Sequence, residues 1–266
     1  MVFNISIGLV MVVSFIGMII CAKKQHLNAM AKPAAVGLLV VVVICAIMMM
    51  SHNMGDGSDA GVIEKEMQYY KASTYVLGKK VAEMNPGSRV LLIVDKINEK
   101  NQRQQAMIEG FKEGCSSSIS DIKVVAPQID KASGADMLGT GLDTIQLTTA
   151  KTFNKLLSKN KGYKIIFSTI GLPYDAGNLK IFKDFDKSPK TCAKLVMLGG
   201  NTLKLAPLIQ AGLVKALVVH KPDADFTKES VSQKMEDLFH DRYILITKKN
   251  LEEIKKKYPG RIFLKK

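Results

Sequence analysis

The chain has 266 residues, 47% of them hydrophobic, and carries a net charge of +14. This length and apolar content exclude a chain too polar to build a core and allow one ordinary domain with additions. The basic surplus suits anionic surroundings, but it is dispersed apart from residues 248–257 and the terminal lysines. No aromatic residues are woven among the basic ones, so no nucleic-acid partner is expected.

Residues 1–22 and 33–53 contain no charged side chain, whereas all 24 acidic residues lie beyond position 55. A helix rises about 1.5 Å per residue and a bilayer core is about 30 Å thick, so spans are expected at about residues 2–22 and 34–50. A cleaved leader is the rival for the first stretch. It lacks a basic start, however, and no small-x-small cleavage pattern precedes Lys23. Lys23, Lys24 and Lys32 lie between the two stretches, and Asp56, Asp59 and Glu64 follow the second. The positive-inside bias then puts the short connection in the cytoplasm and the remainder outside a bacterial inner membrane. With the three lysines set aside, +11 remains on that outer part. The expected organisation is a transmembrane helical hairpin at 1–53, a Gly- and Asp-rich linker at 54–61, and a domain at 62–266.

In the outer part Ile63, Met67, Tyr70, Thr74, Leu77, Val81 and Met84 alternate by fours and threes, the stripe of one long helix, which Asn85-Pro86-Gly87 stops. Residues 90–94 (VLLIV) form a buried strand ending at Asp95, and a helix over 101–114 follows. A strand is expected at 122–125, a surface loop at 127–141, a helix at 142–160 and a strand at 164–168, which runs into Thr169, Gly171, Pro173 and Asp175. Residues 176–186 are expected to be helical. Strands at 195–198 and 216–219 flank a helix presenting Leu203, Leu205, Ala206, Ile209 and Leu213. A helix at 227–239, a strand at 243–246, a helix at 248–258 and a short strand at 261–264 complete the chain. Continuous apolar strands alternating with helices specify an α/β fold, a doubly wound, mostly parallel sheet covered on both faces.

Ligands of such sheets meet the carboxyl ends of the strands. The candidate ligand-binding residues are therefore Asp95, Arg103, Thr169, Asp175, Gly199, Gly200, Asn201, His220 and Asp223, with Ser168 beside them. The competing reading makes the glycines turn formers and Asp175 and Thr202 helix caps. Residues 199–202, if they open a helix, suit an anion, with Lys204 and Asp175 nearby. His220 is the one candidate with a titratable imidazole, and its neighbour Lys221 suits a plain surface position as well. Cys21 and Cys45 fall at or within the apolar stretches, and Cys115 and Cys192 have no metal-like spacing. No metal, cofactor or catalytic residue is expected. The chain has no Gly-x-Ser-x-Gly, His-Glu-x-x-His, phosphate-binding lysine loop or Cys-x-x-Cys.

Residues 78–94 (GKKVAEMNPGSRVLLIV), 106–114 (AMIEGFKEG), 164–177 (KIIFSTIGLPYDAG) and 194–224 (KLVMLGGNTLKLAPLIQAGLVKALVVHKPDA) together resemble the C-terminal lobe of type I periplasmic sugar-binding proteins, over roughly residues 62–250. The resemblance implies a solute-binding-like lobe. It also marks departures: Met107 stands where the family has a ligand-clamping arginine, Gly171-Leu172 where it has an Asn-Asp pair, and Asn201 where it has an aspartate. No N-terminal lobe is expected, the apolar stretches standing where the family has it. The resemblance thus implies a non-catalytic membrane receptor or accessory protein with degenerate sugar positions, taking a small molecule or a membrane-protein partner. The alternatives are an assembly module without ligand and an anion-handling transferase.

Overall fold

The computed structural model describes residues 2–24, 30–55, 58–98, 100–128, 148–227 and 232–264, in two compact units, Met1–Glu64 and Lys65–Lys266. The expected loop at 127–141 falls mostly outside the described residues, as do 142–147 of the expected helix and 228–231.

The first unit holds helices α1 (Val2–Lys24) and α2 (Ala31–Gly55). They pack where side chains are small. A Cβ on Gly17 would stand 3.0 Å from Leu38 Cδ1, and Ser14 and Ala31 are buried. Leu9, Val12, Phe15, Val36, Val40 and Ile47 point outward and are exposed. Among the described residues no helix is long and apolar enough to cross a membrane.

Helix α3 (Ser58–Met84) begins within the stretch expected to be a linker, and its residues from Lys65 onward belong to the second unit. There β1 (Arg89–Ile93), α4 (Gln102–Cys115), β2 (Asp121–Val125), α5 (Ala150–Lys159), β3 (Ile165–Ser168), α6 (Lys180–Lys187), β4 (Lys194–Leu198), α7 (Ala206–Ala211), β5 (Val214–His220), α8 (Met235–Arg242), β6 (Tyr243–Ile246) and α9 (Leu251–Lys257) follow. The strands form one six-stranded sheet in the order β2-β1-β3-β4-β5-β6. The first five strands are parallel, while β6 runs antiparallel to β5 with His220 opposite Tyr243.

Alternation along fully buried strands supplies two cores. Val90, Leu92, Phe167, Val196 and Val218 face Tyr69, Leu77, Phe111 and Phe239 of α3, α4 and α8, with the Phe111 and Phe167 rings 4.6 Å apart. Leu91, Ile93, Ile166, Leu195, Met197 and Leu217 meet Phe153, Ile181, Ile209 and Ile254 of α5, α6, α7 and α9 on the other face. Each such side chain contributes about 1.5–3 kcal/mol on burial.

Helices α3 and α4 meet backbone to backbone. A Cβ on Gly110 would lie 2.2 Å from the Lys71 carbonyl oxygen, one on Gly114 2.0 Å from that of Tyr75, and one on Gly78 2.4 Å from that of Phe111. Glycine at these positions sets the height at which α4 lies on α3.

Several elements differ from the sequence-based expectation for local reasons. Residues 261–264 are a turn and a short coil instead of a strand, with Ile262 and Phe263 buried against the α7–α9 side of the sheet. Helix α7 starts only at Ala206 with Pro207 in its first turn, so Leu203 precedes it and is 41% exposed. The expected helix at 176–186 splits into a 3₁₀ turn (Ala176–Asn178) and α6. At the outer edge of the sheet Asn250 Nδ2 donates to the Leu245 carbonyl (2.8 Å), and its Oδ1 accepts from the Thr247 amide (2.8 Å).

Candidate functional site

The crossover direction reverses between β1 and β3, since β2 lies on one side of β1 and β3, β4 and β5 follow on the other. Such a switch point leaves a crevice beyond the strand ends. Here it opens into a cavity of about 390 Å³, in the range of small-molecule sites.

Each wall has a local cause. The chain leaving β1 is held by Gln104, which is 2% exposed: its Nε2 donates to the Lys96 carbonyl (3.0 Å) and its Oε1 accepts from the Asn98 amide (3.2 Å). Asn101 caps α4 by accepting from the Gln104 amide (3.1 Å). Together these place Asp95, Asn101, Gln104 and Met107 on one wall. Thr169 is tied back to β1, its amide (2.9 Å) and hydroxyl (3.2 Å) both donating to the Ile93 carbonyl. Gly200 has a φ of 84°, and a Cβ there would stand 2.8 Å from Gly171 Cα, so two glycines let the β3 and β4 turns touch.

The remaining walls are flat groups. Arg103 lies with its guanidinium carbon 4.4 Å from the Tyr70 ring centroid. The His220 ring lies 4.6 Å from that of Tyr243 and meets Phe226 edge-on at 5.5 Å. The His220 residue is exposed at the strand end, yet these rings screen its imidazole. Loss of solvent, followed by the charges of Arg103 and Arg242, lowers its pKa. Burial likewise raises the pKa of the Tyr243 hydroxyl. The site therefore presents a neutral imidazole, a guanidinium, a carboxylate, a threonine and two ring faces. That set can hydrogen-bond and stack on a small polar molecule.

Six of the nine candidates (Asp95, Arg103, Thr169, Gly199, Gly200 and His220) line this cavity. Asp175, Asn201 and Asp223 do not. Asp175 accepts from the Ala150 amide (2.6 Å) at the start of α5, Asn201 accepts from the Leu203 amide (3.3 Å), and Asp223 accepts from the Tyr258 hydroxyl (2.9 Å). Residues 199–202 do not open a helix, because α7 begins four residues later and Thr202 donates instead to the Ile262 carbonyl (2.6 Å). The anion site expected there is not formed, and Lys204 is not in the lining either. Ser168 is buried and donates to the Gly171 carbonyl (2.6 Å), a turn contact. Among the described residues no cluster of three or more His, Cys, Asp or Glu is placed to hold a metal.

Tyr70, Ser73 and Tyr243 line the cavity without having been candidates. Tyr70 belongs to the apolar stripe of α3, far in sequence from any strand end, so a search of strand ends passes over it. Tyr243 begins its strand, so a search of carboxyl ends passes over it. Antiparallel pairing with His220 brings it to the same edge.

A second cavity, of about 480 Å³, lies beside β6 between α3, α8 and α9. Its charges are largely matched to one another, Lys79 with Glu236 (3.0 Å) and Lys80 with Glu83 (2.8 Å).

No family model and no curated protein matches the chain. Solved structures do. A candidate LacI transcriptional regulator from Bacteroides fragilis is 13% identical, with a TM-score of 0.42 over 69% of this chain and 61% of that one. GanP, a glucose-galactose binding protein from Geobacillus stearothermophilus, is 17% identical, with 0.40 over 74% and 57%. A sugar-binding protein of a sugar ABC transporter from Bacillus halodurans is 14% identical, with 0.41 over 70% and 64%. The chain thus spans roughly six-tenths of the length of these structures, and no residue-level correspondence follows from likeness at this level.

Proposed function

We propose that the chain is a membrane-anchored, non-catalytic receptor or accessory protein whose second unit takes a small polar molecule in the cavity at the β1/β3 switch point. The observation that carries this reading is the convergence of the β1, β3, β4 and β5 ends on one 390 Å³ cavity, with Asp95, Arg103, Thr169 and His220 beside the rings of Tyr70 and Tyr243. The sequence resemblance sets Met107, Gly171 and Asn201 in place of a sugar's polar clamps, and of these only Met107 lines the cavity, so the ligand in this reading is one that a guanidinium, a carboxylate and ring faces can hold. Leaving polar groups of a bound sugar unpaired would cost about 1–3 kcal/mol each.

Anchoring is supported by the outward apolar side chains of α1 and α2, a surface that water does not tolerate over such an extent. It also rests on the full uncharged stretches at 2–22 and 34–50, which extend beyond the side chains described. Lys23, Lys24 and Lys32 favour a cytoplasmic connection and an extracytoplasmic second unit at the bacterial inner membrane.

The test uses the full chain in lipid nanodiscs and a panel of monosaccharides, nucleosides, amino acids and carboxylates, read by thermal shift. One class is expected to stabilise the protein, by about 2.7 kcal/mol at a hundredfold excess over Kd. That gain should disappear in Arg103→Ala combined with Thr169→Ala. A flat response across the panel rejects the ligand reading. Release of the chain from membranes by alkaline carbonate rejects the anchor.

A further inference from the structure

Positive charge that is scattered along the sequence gathers in the folded second unit. Residues 150–194 hold ten lysines against Asp175, Asp184 and Asp186, a net +7 and half of the chain's +14. They build two consecutive helix–strand pieces, α5 with β3 and α6 with β4, whose strands are neighbours in the sheet. The pieces are also tied through α5: Asn154 Nδ2 donates to the Asn178 carbonyl (3.2 Å), and its Oδ1 accepts from the Lys180 amide (2.9 Å). Residues 129–147, which lie outside the described residues, carry Asp130, Asp136 and Asp143 against Lys131. That net −2 does not cancel the surplus wherever it falls.

The first piece carries Lys151, Lys155, Lys159, Lys161 and Lys164, all exposed, with no acid among residues 150–164. The second carries Lys180, Lys183, Lys187 and Lys190, exposed as well, and Lys194, whose ammonium lies 4.5 Å from the Phe185 ring centroid. None of the ten is in an ion pair among the described residues. The opposite layer of helices behaves differently: Lys71 pairs with Glu113 (2.7 Å), Lys79 with Glu236 (3.0 Å) and Arg242 with Glu66. Spacing by four sets Lys151, Lys155 and Lys159 on one stripe of α5, where like charges repel. Such a stripe is relieved by an anion brought from outside the helix.

The make-up of the patch selects the anion. Residues 150–194 contain no arginine, the planar fork that nucleic-acid contacts favour. Phe153, Phe182 and Phe185 of the two helices pack into the core, so neither helix offers a ring for a base to stack on. Lysines are point charges on flexible stems, which suit a layer of headgroups without fixed geometry.

We infer that the α5/α6 face of the second unit lies against anionic phospholipid headgroups. This rests on the anchor reading for the nearness of a bilayer. It does not involve the cavity, whose lining includes none of the ten lysines.

The test follows acetylation of individual lysines by mass spectrometry in the full chain, held in nanodiscs of phosphatidylcholine alone or mixed with phosphatidylglycerol. At low salt Lys155, Lys159, Lys183 and Lys187 are expected to react about threefold or more slowly in the anionic discs, and high salt should abolish the difference. Lys112, exposed on α4 in the opposite layer, should react alike in both. Lys151→Glu, Lys155→Glu and Lys159→Glu combined, all at exposed positions, should not lower the urea midpoint and should return Lys183 and Lys187 to the zwitterionic rate. Equal rates in the two kinds of disc overturn the inference. So does stronger protection by an added single-stranded oligonucleotide on zwitterionic discs than by anionic lipid, which gives the face to nucleic acid. A chain that stays in neither disc refutes the anchor; free vesicles of the two compositions then decide the face, protection by the anionic ones sustaining it and its absence overturning it.

Discussion

The guanidinium carbon of Arg242 lies 3.5 Å from the centroid of the Tyr69 ring, and the same side chain is ion-paired with Glu66 one turn earlier on α3. Arg242 ends α8 where β6 begins, so this contact fastens the edge of the sheet to α3. Its Nε is buried without a hydrogen-bond partner among the described residues, so the Tyr69 ring, the Phe226 ring at 5.3 Å and the Glu66 ion pair hold it. Arg242→Ala is expected to cost about 2–4 kcal/mol in denaturant unfolding, and Arg242→Lys should recover less than half of that, because an ammonium cannot lie flat on the ring. Equal stability of the lysine variant and the parent would show that charge alone carries the contact.

Backbone contact between α3 and α4 leaves no room for a methyl group. Gly114→Ala and Gly110→Ala should each destabilise the second unit by about 3 kcal/mol or more, since the obstructing atoms are carbonyls of a packed helix and not the ends of flexible side chains. Gly177→Ala serves as the control: nothing lies within 4 Å of the added Cβ. Its midpoint in urea should move by less than the equivalent of about 0.5 kcal/mol.

His220 sets a pH dependence whose sign follows from its direction of shift. Its pKa lies below the ordinary 6.5, chiefly because its ring is screened from solvent and then because Arg103 and Arg242 oppose a further positive charge. Between the lowered value and 6.5 the unfolded chain binds more protons than the folded one, so stability rises with pH across that window. The contribution is complete above 6.5 and is lost as pH falls through the window. Melting temperature should therefore be flat from pH 8 to 7 and decline below 6.5, and His220→Gln should remove part of that decline. Identical slopes in both proteins would assign the acid sensitivity elsewhere.

Asp175 acts on α5 and not on the cavity. Its carboxylate accepts the Ala150 amide at 2.6 Å, alongside the Thr149 hydroxyl, which accepts from the Thr152 amide at 3.2 Å. Asp175→Ala should cost about 1 kcal/mol of stability, as loss of a helix cap does, and leave any ligand-induced thermal shift unchanged. A variant of normal stability that loses the ligand response would place Asp175 in the site after all.

The sheet was legible because Leu91, Leu92, Ile166, Phe167, Leu195 and Val196 sit in short uninterrupted apolar runs, a pattern that requires burial on both faces. The direction of β6 was not legible. Tyr243–Ile246 is as apolar as the parallel strands, and the connection from His220 through α8 is long enough to serve a parallel crossover as well, so neither pattern nor spacing marks the reversal. That reversal hid Tyr243 from a search of carboxyl ends. Leu203 and Phe263 misled for the opposite reason: hydrophobicity announces that a residue is to be covered without saying whether a helix, a turn or another molecule does the covering. Asp175, Asn201 and Asp223 have the right chemistry and lie close to strand ends in sequence, but nearby amides and a tyrosine hydroxyl engage them first.

The small bracket that Asn250 forms on the last strand bears on how the protein behaves at high concentration. The Arg242 carbonyl accepts from Lys221, so by alternation the Leu245 carbonyl turns away from the sheet, and Asn250 occupies it. In a strand of only four residues that removes one of the few groups a foreign chain could zip onto, so Asn250 serves as a guard against aggregation. Crowded preparations of an Asn250→Ala variant would be the first to form fibrils.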